Sequence, residues 1–154
     1  MDHRQRALQT LSRLTRLLAM GTQGSALLHT ILREALGLTG ARGGQVLLLR
    51  ADRRALLTHI GAGDDIADAD EMPADAPPWA DVICEGKVVQ LRAMRPAAHH
   101  GSADRPITLG MPLLARGDVL GVLALRDLSE VWAKPDRQPF VEALAHLAAH
   151  ALVR

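Results

Sequence analysis

The sequence predicts an α/β fold of the α+β kind: a central antiparallel sheet of five to six strands, terminal helices on one face and loops on the other. Three observations carry this. The stretch ITLGMPLLARGDVLGVLALRD, Ile107 to Asp127, is two apolar runs around a polar break at Ala115 to Asp118, the pattern of a hairpin. Its second run, Val119 to Leu125, carries almost no polar side chain, so both of its faces must be covered. Both ends of the chain show helical periodicity instead.

In chain order, Ala7, Leu11, Leu14 and Leu18 follow 4-3-4 spacing and predict an amphipathic helix over 5–20. The seam Leu11, Leu14, Leu18 suits either pairing with a second copy or packing on the chain's own sheet. After Gly21 to Gly24, Ser25 can cap a second helix over 25–36, ended by Gly37. Gly43 to Leu49 and Ala55 to Ile60 are strands joined by a polar hairpin segment. An acidic stretch follows, with Asp64, Asp65, Asp68, Asp70, Glu71 and Asp75, broken by prolines. It reads as loop, with a short helix from Pro78 to Glu85. Lys87 to Leu91 is a short strand, and the basic segment 92–106 is a second loop. The runs 107–114 and 119–125 form the last hairpin, with Gly117 where positive φ is expected. Gly121 lets another backbone, a helix or a ligand come close to the sheet. Phe140, Leu144, Ala145, Ala148, Ala149 and Leu152 form the apolar face of a closing helix over 136–153.

The 154 residues fit one domain, which at this length buries roughly 68–70% of its unfolded surface. Eighteen basic and seventeen acidic residues leave no overall field that would draw nucleic acid or an anionic membrane. No apolar run approaches the ~18 residues of a membrane span, and the first residues lack a signal-peptide core, so the expected location is cytoplasmic. With two tryptophans, one phenylalanine and no tyrosine, the core must be filled by Ala, Leu and Val.

The run GMPLLARGDVLGVLAL, Gly110 to Leu125, resembles the last hairpin of GAF domains, and Val131 to Asp136 with the following helix resembles their aromatic, Asp-capped closing helix. The resemblance extends from about Gln5 to Val153. It implies a GAF/PAS-like domain with a small-molecule site between the sheet and the two loops. Members bind cyclic nucleotides, amino acids, bilins or haem, and some bind nothing. By position the ligand-binding candidates are Trp79, Val82, Ile83, Leu91, Arg92, Met94, Arg95, His99, His100 and Met111. Arg92 and Arg95 can hold an anionic ligand, or answer the acidic loop and tie the two loops together.

Other motifs are weaker. His99 and His100 are adjacent, in a Gly- and Pro-flanked loop, a poor geometry for one metal ion and a good one for exposure. Glu142, His146 and His150 share one stripe of the closing helix, off its apolar face, where solvent or a dimer seam is expected. The acidic run lacks the order of a calcium loop. Cys84 is followed by Glu85, not by the histidine of the bilin-binding members, and a lone cysteine cannot form the internal disulfide of the reductase-like ones. It is expected as a small apolar residue on the inner face of the short helix. The chain has no asparagine, so it lacks the Asn-Lys signature of cyclic-nucleotide members.

The expected function is therefore a non-enzymatic regulatory domain, with no cofactor and no metal. It binds an unidentified small molecule and relays that event through its terminal helices, as a homodimer or to a separate signalling protein such as a kinase or cyclase. The alternative is a ligand-free dimerisation or protein-interaction module.

Overall fold

The computed structural model describes residues 3–21, 24–63, 71–92 and 106–153. Its strands are β1 (Gly43–Leu49), β2 (Ala55–Gly63), β3 (Glu71–Pro73), β4 (Val89–Arg92), β5 (Ile107–Ala115) and β6 (Asp118–Leu128). They form one six-stranded antiparallel sheet in the order β3-β2-β1-β6-β5-β4. The helices are α1 (His3–Ala19), α2 (Gly24–Thr39), α3 (Ala80–Glu85) and α4 (Gln138–Leu152).

The expected hairpin at the end of the chain forms, and its turn is tighter than its composition suggests. Ala115 pairs with Asp118, which leaves a two-residue loop of Arg116 (φ 53°) and Gly117 (φ 83°). Positive φ at both positions is the type I′ geometry that matches the twist of the flanking strands. Only Gly117 adopts it without steric cost. Replacing Arg116 with asparagine, which tolerates this region, should stabilise the protein by roughly 0.5–1 kcal/mol. A urea midpoint raised at unchanged slope is the expected readout.

Helices α1, α2 and α4 gather on one face of the sheet. The main core lies there, where Leu28, Ile31 and Leu32 of α2 and Leu144, Ala145 and Ala148 of α4 meet Val46, Met111, Leu123 and Leu125. The small residues of α4 let that helix lie close to β5. Helix α1 rests on α2 and α4, with Arg13 and Glu34 paired at 2.6 Å across the first contact. The leucine seam is placed accordingly. Leu14 is fully buried in the main core, and Leu11 and Leu18 pack partly buried against it, while Leu8 and Met20 are left exposed.

Several boundaries differ from the sequence expectation. Helix α2 runs through Gly37 and ends at Gly40 (φ 72°), whose N–H reaches Leu36. Burial of Leu38 and Thr39 outweighs the ~1 kcal/mol that glycine costs inside a helix. Ser25 sits inside α2, not at its cap. Closing helix α4 starts at Gln138, after a 3-10 turn over Glu130–Ala133, with Pro139 in its first turn and no capping contribution from Asp136. Strand β2 continues to Gly63. The acidic stretch contributes the short edge strand β3, in which Met72 faces Leu56 and Glu71 pairs with Arg50. Arg50 also binds Asp52, and with the Arg54 N–H it holds that carboxyl below its ordinary range.

Candidate functional site: the second face of the sheet

The face turned away from the main helices carries its own, smaller core. Helix α3 places Trp79 and Val82 on it, beside Leu47, Leu56, Val122 and Ala124. Trp79 is 2% exposed, and its ring packs against β5 where Gly110 has no side chain. A Cβ at position 110 would stand 2.2 Å from the ring. Ile83, Leu91 and Met72 close the edges of this cluster, half-buried.

Four strands then line up one row of small residues. Gly110 pairs with Ala124, Ala124 with Gln45, and Gln45 with Gly61. The neighbouring row runs from Arg126 to Gly43 to Gly63. Within this floor stands the polar Gln45, only 1% exposed. Its side-chain carbonyl accepts a hydrogen bond from the Arg126 guanidinium, and its amide donates to Thr58 Oγ1 at 3.1 Å. One hydrogen-bonded set therefore links β2, β1 and β6. Alternation fixes its side of the sheet. Gly44, the residue before Gln45, faces Leu32 of α2, so Gln45 shares the opposite face with Leu47. A buried amide costs stability unless its hydrogen bonds are made, and an apolar side chain would fill this position without that demand.

Of the predicted ligand-binding residues, the structure brings Trp79, Val82, Ile83 and Leu91 together on this face. Arg92 is exposed and meets Glu130, which follows β6, at 3.4 Å, while Asp64, Asp65, Asp68 and Asp70 of the acidic loop lie outside the described residues. Met111 is turned the other way. It is fully buried in the helix-side core, because Gly110, its neighbour, is the residue that faces Trp79. Met94, Arg95, His99 and His100 lie outside the described residues. Gln45, Thr58 and Arg126 were missed. The signal available was a single glutamine inside the apolar run GGQVLLL and an arginine ending VLALR.

The remaining motifs resolve simply. Cys84 is exposed, not inward-facing, because Val82 takes the inner side of a helix only six residues long. Glu142 is half-buried and accepts from Gln138 at 3.2 Å, whereas His146 and His150 are exposed. Glu142 and His146 border a groove of about 420 Å³ between α4 and the start of β4, with Lys87 on the other wall. Glu85 beside Lys87 raises that ammonium's pKa above its ordinary value. Among the described residues no group of three or more His, Cys, Asp or Glu side chains could hold a metal ion, and no helix is long and apolar enough to cross a membrane.

The profile of the family described as GAF domain matches residues 25–153. Comparison with curated proteins returned no match. Among solved structures, the GAF domain of a phosphoenolpyruvate-protein phosphotransferase from Coxiella burnetii superposes with a TM-score of 0.78 at 15% identity, covering 99% of this chain and 95% of that one. Free methionine-R-sulfoxide reductase from Neisseria meningitidis, solved in complex with its substrate, gives 0.76 at 16% identity over 99% and 92%. The GAF-B domain of DevS from Mycobacterium smegmatis gives 0.64 at 21% identity over 84% and 92%. At these identities the likeness is one of fold.

Proposed function

The chain belongs to the GAF domain family, a family of regulatory and sensor domains, and from that premise we propose that it is a non-enzymatic module that binds a small molecule over the second sheet face. The observation that carries this reading is the hydrogen-bonded set Gln45, Thr58 and Arg126, standing among glycine and alanine neighbours. Ligand sites combine apolar walls with a few placed polar groups, and this face offers both within four strands. The likeness to a reductase holding its substrate supports ligand binding by the fold. A single cysteine cannot form the internal disulfide of the reductase-like members, which supports a non-enzymatic role.

Relay follows from the strands themselves. β1 and β6 carry Gln45 and Arg126 on one face, and on the other the adjacent Gly44 faces Leu32 of α2 while Leu125 joins the helix-side core. A displacement of these strands on ligand binding moves the helix layer. The size of that response is bounded by the ligand's differential affinity for the two states. The recipient is a second copy of the chain or a separate signalling protein such as a kinase or cyclase.

A ligand-free dimerisation or interaction module is the second reading. It is favoured by Trp79, whose ring already fills the floor above Gly110. Native mass spectrometry of the purified protein separates the two. A mass excess lost on mild denaturation is expected for the sensor, and a clean apo dimer supports the interaction module.

A further inference from the structure

Arg126 stands out among the groups this face offers. It is half-buried on a central strand, and among the described residues it has no carboxylate partner. Its one side-chain bond within the described residues goes to an uncharged acceptor, the Gln45 carbonyl. A guanidinium carries five N–H donors in a fixed plane, so this single bond orients the group and leaves the rest of the fork without a partner among the described residues. Across the sheet from Arg126 come Gly43 and then Gly63, neither of which offers a side chain to occupy that fork.

We propose that Arg126 is the anion-recognition residue of this domain, holding the carboxylate of a small organic acid in bidentate fashion, with Gln45 as the positioning residue behind it. The proposal rests on the small-molecule reading above and names the chemistry of its ligand. Charge is what favours a carboxylate over a phosphate. Among the described residues Arg126 is the single cation in the hydrogen-bonded set, which matches one negative charge, whereas a phosphate dianion would be left half-neutralised. The planar carboxylate also fits the planar fork. Trp79 and Leu47 then stand on the neighbouring part of the floor, where the carbon skeleton of the acid would lie.

The test is a titration of the full chain with acetate, pyruvate and 2-oxoglutarate, against acetamide and inorganic phosphate, each to 50 mM at constant ionic strength, followed by thermal melting. The expected result is saturable stabilisation by at least one carboxylate and none by acetamide, with the apparent affinity at least tenfold weaker in Arg126→Gln and unchanged in Arg33→Gln, an exposed position of α2 in the helix layer. Arg126→Lys keeps the charge and loses the fork. It should recover only part of the binding, and it serves as the second variant if Arg126→Gln melts too low to titrate. Stabilisation by acetamide equal to acetate, or retained in both Arg126 variants, overturns anion recognition while leaving the small-molecule reading in place. Stabilisation by phosphate alone overturns the carboxylate assignment. No response to any probe, together with an apo mass spectrum free of bound small molecule, overturns both.

Discussion

Gly121→Ala is expected to cost more than about 3 kcal/mol, above the ~1–3 kcal/mol of ordinary overpacking, because the added methyl meets backbone and not a side chain that could turn away. A Cβ there would stand 1.9 Å from the Leu47 carbonyl oxygen and 3.0 Å from the Leu48 Cα. Position 121 pairs with Leu48 on one side and Leu113 on the other, so the strand has no free edge toward which to shift. Relief requires β1 and β6 to part, which breaks ladder hydrogen bonds at the centre of the sheet. For a domain of this size a loss of about 3 kcal/mol already corresponds to a melting point lower by roughly 6–12 °C. The same parting would disturb Leu47, and with it the apolar half of the second face. Thermal melting with amide hydrogen exchange along β1 is the measurement. A variant that melts within 2 °C of the parent, with β1 equally protected, would show that no close approach exists there.

That glycine was legible in the sequence because it interrupts an apolar run with a residue that contributes no burial, and only close approach or a bulge explains it. The closing hairpin, the helical ends and the two-sided covering of β6 were legible for the same reason: each is a pattern of period or length. What was not legible has a common cause. β5 and β6 are apolar on both faces, so alternation carries no polarity, and nothing in GMPLL says whether Gly110 or Met111 faces the helices. Position alone therefore points Met111 to the pocket, and the structure turns it to the other side. Periodicity likewise said that Leu11, Leu14 and Leu18 share a stripe, but not what covers it, and in the structure Leu14 is covered by the chain's own helices. Gln45 was hidden differently. One polar residue in a strand of seven looks like noise until the register places it beside Arg126 and Thr58. Strand β3, at three residues, is too short for any periodic signal.

The second face rests most heavily on Trp79, and Trp79→Ala should cost about 3–5 kcal/mol, the range for removing a buried aromatic from a packed site. At roughly 2–4 °C per kcal/mol, the melting point falls by some 6–20 °C. The informative experiment is the cycle with Gly110. In the parent, Gly110→Ala drives a methyl to 2.2 Å from the indole ring, so the ring must leave its seat, at a cost of about 1–3 kcal/mol. With Trp79 already alanine the same methyl enters the vacated space and has nothing to displace. Gly110→Ala should then be neutral or stabilising, which gives the pair a coupling energy of about 1–3 kcal/mol, within the range for residues in direct contact. Equal costs in the two backgrounds would mean that the ring does not lie on Gly110. The cycle also bears on function, because the ring occupies floor that an apolar ligand would otherwise use. If the domain is a sensor whose ligand extends along this row, Trp79→Ala enlarges the site and changes which acid stabilises the protein best. If it is a ligand-free module, the variant loses stability and no small acid restores it. The melting points of Trp79→Ala with and without 50 mM pyruvate or 2-oxoglutarate therefore separate a tryptophan that only fills the core from one that shapes a pocket.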